Sequence, residues 1–194
     1  MPFMESKIPD AWRAVRINPI PKKTVNFGSK SFRRIVCSSA LLKVAERVTL
    51  DIIKPFSSSF SDPLQFAYKA KRSTLDAVAL VVHSVLKELD KDGREYACVF
   101  LDSYFAFNTV PRPLLLTKTS ACGSPGWVVS WLSDYFSFRT QFVQSGKRKS
   151  TILPNDCGVL QGSILFPRLF PLHTDDLRSP KDCLLVKYAD YVVV

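Results

Sequence analysis

The stretch that decides the fold is Cys183-Leu184-Leu185-Val186-Lys187-Tyr188-Ala189-Asp190-Tyr191-Val192-Val193-Val194. Two β-rich runs flank a short turn, so it reads as a tight hairpin with Asp190 at or beside its tip. Further back, Tyr96-Ala97-Cys98-Val99-Phe100-Leu101-Asp102 reads as a second apolar strand that ends on a carboxylate. A charge at the end of a buried strand is costly unless it is paired or holds a metal. Two carboxylates on separate strands suit two-metal phosphoryl transfer, in which acidic side chains clamp ions about 4 Å apart. Taken alone, without the hairpin, Asp102 reads better as a strand-end turn former.

Around this floor the pattern alternates between helices and hairpins. From Ser39, the residues Leu41, Leu42, Ala45, Val48, Ile52 and Ile53 keep helical spacing until Pro55. Ser73 and Asp76 form a capping box for a second helix, with Val78, Val81, Val82, Val85, Leu86 and Leu89 as its expected buried stripe. A short helix is expected around Leu114 to Lys118. Another opens at Ser124-Pro125, with Trp127, Val128, Trp131, Leu132 and Tyr135 on one face. Thr140 to Ser145 and Ser150 to Leu153 read as hairpin strands, with Lys147-Arg148-Lys149 as a solvated tip. Ser163 caps a helix expected to reach Leu177, and Asp175 and Asp176 read as solvated. Helices mixed with hairpins argue for an α+β fold.

At 194 residues and 46% hydrophobic, the chain supports one good core, or one domain with a smaller lobe. No apolar run nears the ~18 residues of a membrane span, and the N-terminus lacks a signal pattern. The five cysteines are widely spaced, and His83 and His173 are isolated. That spacing argues against zinc and disulfides and fits reduced thiols of an intracellular protein, the nucleus or another compartment being left open. The net charge of +10 is uneven: residues 1–72 carry 14 Lys/Arg against 5 Asp/Glu, and residues 73–194 carry 13 against 12. In the front part Arg13, Arg16, Lys22, Lys23, Lys30, Arg33, Arg34, Lys69, Lys71 and Arg72 interleave with Trp12, Phe27, Phe32, Phe66 and Tyr68. Cations for phosphates beside aromatic faces suit a nucleic-acid strand. A solvated basic surface is the plainer alternative.

With these features placed in order, the chain resembles the fingers and palm of non-LTR (LINE-type) retrotransposon reverse transcriptases. Trp12, Ile20-Pro21-Lys22, Phe32-Arg33, Lys43 and Glu46 match the opening of the fingers. Gln65-Phe66-Ala67-Tyr68 with Ser73-Thr74-Leu75-Asp76-Ala77 matches the next block, and Leu101-Asp102 with Ala106-Phe107-Asn108-Thr109-Val110 matches the first catalytic motif. Trp131-Leu132, Tyr135, Arg139 and Gln141 follow. Gly158-Val159-Leu160-Gln161-Gly162-Ser163-Ile164-Leu165 with Pro167 and Leu169-Phe170 matches the nucleotide-facing loop and helix, and Lys187-Tyr188-Ala189-Asp190 the second catalytic motif.

The resemblance implies a right-hand polymerase fragment with an antiparallel palm sheet, fingers-like over 1–95 and a partial palm over 96–194. It implies an RNA-directed DNA polymerase, a nucleotidyltransferase that extends a DNA primer on an RNA template from deoxynucleoside triphosphates. Asp102 and Asp190 would be catalytic and hold Mg²⁺ or Mn²⁺. Arg33, Phe107, Gln161 and Gly162 would meet the nucleotide, with Phe107 beneath the sugar, and Lys22, Lys69 and Arg72 the nucleic acid. Arg34 competes with Arg33 for the triphosphate, and core packing is the alternative for Phe107. No membrane association is expected, and oligomeric state is left open.

Several positions depart from the pattern. Tyr191 stands where the family has a second aspartate, and a protonated phenol is a poor magnesium ligand. Arg34 replaces a proline, Phe166 and Arg168 flank Pro167, and Pro171 falls inside a helix. The chain stops three residues after Tyr191, so a truncated copy without thumb or endonuclease, weak or inactive, is the expectation. The alternatives are a non-catalytic nucleic-acid-binding remnant, a palm polymerase making RNA (which Phe107 opposes), and a chain that does not fold stably.

Overall fold

The computed structural model describes residues 5–21, 32–57, 62–93, 95–103, 106–181 and 183–194. A 3-10 turn at Asp10–Trp12 leads into β1 (Ala14–Pro21) and β2 (Phe32–Cys37), followed by the helices α1 (Ala40–Ser57) and α2 (Thr74–Leu89). Next come β3 (Phe100–Asp102), a single turn α3 (Ala106–Thr109), α4 (Arg112–Ala121) and α5 (Gly126–Phe136). The last elements are β4 (Thr140–Ser145), β5 (Arg148–Lys149), β6 (Leu153–Pro154), α6 (Phe166–His173), β7 (Val186–Tyr188) and β8 (Tyr191–Val193).

Two sheets result. The larger runs β2-β1-β4-β5 with β6 also on β4, and it is mixed because β1 lies parallel to β4 while its other pairs are antiparallel. β1 thus joins the basic front of the chain to residues past 140. The smaller sheet, β3-β8-β7, is wholly antiparallel. The main core gathers Val15 and Ile17 of β1, Leu42 and Ile53 of α1, Leu115 of α4, Trp131 and Leu132 of α5, and Leu169 and Phe170 of α6. Among the described residues, no helix is long and apolar enough to cross a membrane.

Local signals explain many of the boundaries. The Ser39 hydroxyl accepts from the Leu42 amide at 3.2 Å at the start of α1. Ser73 and Asp76 form the expected capping box on α2. Pro55 does not stop α1; it sits in the last turn, where a missing N–H forfeits one bond near an end that frays in any case. α6 tolerates Pro167 in its first turn and contains Pro171, but ends at His173 rather than Leu177.

Two burial expectations are corrected. The α2 stripe is largely exposed at Val78, Val82, Leu86 and Leu89. Val81 of that stripe does turn inward, with Ala77 and Leu80 outside it, toward a small second core made with Phe66, Val186 and Tyr188, so the packed face is rotated toward Ala77. The strand before Asp102 is regular only from Phe100 and is exposed, Phe100 at 74%. Among the described residues β3 pairs with β8 alone, and periodicity does not reveal how many neighbours a strand has.

Candidate active site

The register of the small sheet sets the site. Asp102 ends β3 directly opposite Tyr191, the first residue of β8, and Asp190 is the residue just before it in the turn from β7. The Ser103 amide donates to the Asp190 carbonyl at 3.4 Å, tying the chain beyond Asp102 to the same turn. Asp102 is exposed and Asp190 half-buried. Burial raises the Asp190 carboxyl above the ordinary carboxylate range, and the nearby Asp102 charge adds to the rise. Tyr68 faces the same turn: burial, then the charges of Asp190 and Tyr188, push its phenol up to about 12. Two adjacent carboxylates offer hard oxygen donors of the kind Mg²⁺ and Mn²⁺ accept, so the donor set fits such an ion. Among the described residues no group of three His, Cys, Asp or Glu could hold a metal.

The loop before α6 is anchored on three sides. The Gly158 amide donates to the Val110 carbonyl at 3.1 Å and the Val159 amide to the Phe107 carbonyl at 2.8 Å, which fixes the loop to the chain after β3. The Val36 amide donates to the Gln161 carbonyl at 2.8 Å, docking β2 and thereby the strand that carries Arg33. Gly162 sits at φ +111°, and a Cβ there would lie 2.7 Å from the Val36 carbonyl oxygen, so only glycine permits the approach. From the third side, Glu46 of α1 is fully buried. Its Oε2 accepts from the Ile164 amide at 2.8 Å and its Oε1 from the Tyr135 hydroxyl at 2.6 Å. Burial raises the Glu46 carboxyl, against the two hydrogen bonds and Arg139, which lower it. Ser163 accepts from the Phe166 amide at 3.1 Å, although the N-cap position of α6 falls on Leu165 and not on Ser163 as expected.

The nucleotide candidates thus come together through backbone contacts: Gln161 and Gly162 in the loop, β2 with Arg33 against it, and Phe107 below. Arg33 and Arg34 are both exposed neighbours on β2 and so point to opposite faces of the sheet. Phe107 is half-buried in an aromatic cluster, edge-on to Phe166 at 4.9 Å and to Phe170 at 4.6 Å, with Tyr68 edge-on to Phe166 at 5.4 Å. Phe166, an unexpected residue there, completes this cluster.

The basic candidates fare differently. Lys22, with Lys23, Phe27 and Lys30, lies outside the described residues. The Lys69 ammonium turns inward and donates to the Asp62 carbonyl at 2.5 Å, and burial lowers its pKa. Arg72 is exposed, its guanidinium 4.9 Å from the Phe66 ring centre. Asp175 is buried rather than solvated, because Lys118 reaches it at 3.0 Å and also pairs with the exposed Asp176 at 2.6 Å. Sequence reasoning gave no role to Gln65 and Lys187. Lys187 is 1% exposed, donates to the Thr174 and Leu177 carbonyls at 2.7 and 2.9 Å, and pairs with Asp62 at 2.5 Å. The one available signal was a lone lysine within an apolar run.

A small antiparallel sheet with one carboxylate on a strand and another in the adjoining hairpin turn, flanked by a glycine loop and a helix, is a polymerase palm fragment joined to fingers. A model of the reverse transcriptase (RNA-dependent DNA polymerase) family matches residues 20–194. The chain belongs to that family, and its curated relatives place it among the non-LTR retrotransposon enzymes. It is 29% identical to the RNA-directed DNA polymerase from mobile element jockey of Drosophila melanogaster, over 96% of this chain and 21% of that protein. It is 30% identical to the probable RNA-directed DNA polymerase from transposon X-element of the same organism, over 84% of this chain and 19% of that protein. The chain therefore spans about a fifth of these relatives. Among solved structures, an apo telomerase from Candida tropicalis aligns with a TM-score of 0.62 at 13% identity, covering 96% of this chain and 44% of that one. A telomerase from Candida albicans in complex with a fragment of telomeric RNA aligns at 0.61 and 13% identity, over 98% of this chain and 39% of that one. At that identity the likeness is one of fold.

Proposed function

We propose that this chain carries the nucleotidyl-transfer site of an RNA-directed DNA polymerase, in a form with much reduced activity. The observation that carries the reading is the β3–β8 register, which sets Asp102 beside Asp190 with Tyr191 opposite. In this reading Asp102 and Asp190 hold Mg²⁺ or Mn²⁺, which supplies activation of a primer 3′-hydroxyl and charge neutralisation on the triphosphate. Burial, and after it the Asp102 charge, raises the Asp190 carboxyl, and a cation shared by the two carboxylates offsets both costs. Gln161 and Gly162 lie along a nucleotide, the glycine letting the loop sit close on β2, and Arg33 on β2 meets its phosphates. Phe107, braced by Phe166 and Phe170, presents a ring that a 2′-hydroxyl would strike, so deoxynucleotides are favoured. Arg72, with Lys22 and Lys69 as weaker candidates, contacts an RNA template and DNA primer. Residues 1–95 act as the fingers-like part and 96–194 as the palm-like part.

Tyr191 supports the impairment. A phenol stands where the family carries a carboxylate, and loss of one well-placed electrostatic group costs on the order of 10²–10³ in rate. The same residue favours the second reading, a non-catalytic nucleic-acid binder. Primer extension on an RNA template with Mg²⁺ tests both. The expected result is weak extension that Asp102→Asn abolishes and Tyr191→Asp increases. Salt-sensitive binding of primer–template with no extension in any variant overturns the polymerase reading and leaves the binder.

A further inference from the structure

The turn that carries Asp190 is short and strained. Tyr188 pairs with Tyr191, so Ala189 and Asp190 alone make the connection, and Ala189 sits at φ +56°, a left-handed conformation that L residues seldom hold unaided. Something outside the hairpin grips this turn. Gln65, 2% exposed, places its Oε1 where it accepts from the Ala189 amide at 3.1 Å, while its Nε2 lies 3.5 Å from the Ala189 carbonyl oxygen. One side chain thereby meets both peptide groups of Ala189, and the second of these is the peptide that leads into Asp190. The same Oε1 also accepts from the Ala67 amide at 3.0 Å, which uses its second lone pair and fixes the rotamer.

The segment holding Gln65 is itself bolted to the hairpin. The Lys187 amide donates to the Leu64 carbonyl at 2.8 Å, and the Phe66 amide to the Lys187 carbonyl at 2.8 Å. Asp62 clamps the Lys187 ammonium from the same segment and caps the Leu64 amide at 2.9 Å. A buried polar side chain that bonds both peptide groups of one turn residue, with its rotamer fixed by a third bond to its own segment, is an orienting device, and its fixed mount removes the freedom to let that turn relax.

We infer that Gln65 is a positioning residue that holds the Ala189–Asp190 turn so that the Asp190 carboxylate faces the cation site. The role rests on the reading of Asp190 as a cation ligand. Groups that orient a metal ligand through a hydrogen bond typically govern affinity by about 10–100-fold, so Gln65→Met, similar in length but without an acceptor, weakens Mn²⁺ binding about tenfold.

The test uses the full chain. In the wild type, hydrogen exchange measures the Ala189 amide directly. It exchanges far more slowly than a free-chain amide, although it lies in a turn, and free-chain exchange there overturns the proposal whether or not any variant folds. Mn²⁺ titration followed by water-proton relaxation is then run on Gln65→Met, Phe66→Leu and Asp190→Asn. Phe66→Leu lowers the melting midpoint through the same small core yet leaves Mn²⁺ affinity unchanged, whereas Gln65→Met loses affinity. Equal affinity in Gln65→Met and wild type, or equal losses in Gln65→Met and Phe66→Leu, overturns the positioning role. Unchanged binding in Asp190→Asn overturns instead the cation-site reading beneath it.

Discussion

Truncating Glu46 gives the sharpest stability test, because its buried carboxylate joins α1, α5 and the loop before α6. In Glu46→Ala, the Tyr135 hydroxyl and the Ile164 amide both lose their acceptor in the interior. Each orphaned donor costs about 1–3 kcal/mol, so the pair predicts a loss of about 2–6 kcal/mol. That is a large share of the roughly 5–15 kcal/mol of a typical domain. The buried Arg139 guanidinium keeps its bonds to the Tyr135 and Trp12 carbonyls at 2.5 and 2.9 Å but loses the opposite charge of Glu46, which adds to the loss. Urea unfolding followed by circular dichroism at pH 7 reads the loss as a lower midpoint with an unchanged slope. Glu46→Gln keeps one acceptor and falls between. The pH dependence has a definite sign. Burial raises the folded carboxyl above its ordinary 4.5, so the unfolded chain gives up its proton first as pH rises. The margin of wild type over Glu46→Gln therefore narrows upward from about pH 4.5. A Glu46→Ala midpoint within about 0.5 kcal/mol of wild type refutes the network, since only surface positions behave so.

Three further outcomes follow from the same geometry. Gly162→Ala forces a left-handed backbone on alanine, at about 1–3 kcal/mol, and drives its Cβ onto the Val36 carbonyl. A thermal melt should show a clear drop and a faster-exchanging Val36 amide. Lys187→Met leaves buried Asp62 with the longer pair to Arg178 at 3.6 Å in place of its ammonium and should cost less than the roughly 3–5 kcal/mol of a fully unpaired buried charge in urea unfolding, while adding Asp62→Leu recovers part of it. Phe107→Val, placed in the Tyr191→Asp background to obtain signal, should narrow the preference for deoxynucleotides over ribonucleotides in primer extension. An unchanged ratio sets Phe107 aside as core packing against Phe166 and Phe170.

The legible parts of this fold were those encoded within a few residues. The Ser73–Asp76 box and the Tyr188–Tyr191 hairpin are local patterns that formed as expected, and so did the face of α5 at Val128, Trp131, Leu132 and Tyr135, although Trp127 in its first turn is exposed. What stayed hidden depends on partners far along the chain. Glu46 meets Tyr135 and Ile164 across 89 and 118 positions, and Gln65 meets Ala189 across 124, so no window of sequence contains either contact. The exposed stripe of α2 illustrates a related limit: periodicity finds an apolar face, but the small residue Ala77 decided which side packs on Val186. Asp175 read as solvated for the same reason, since Lys118 that buries it comes from α4.

The pairing of Asp102 with Asp190 is tested most directly by Mn²⁺ titration with electron paramagnetic resonance on wild type, Asp102→Asn and Asp190→Asn. A shared cation site predicts that each single change weakens binding at least tenfold, roughly the loss of one charged ligand, with both variants still melting cooperatively. Wild-type affinity in either folded variant contradicts it.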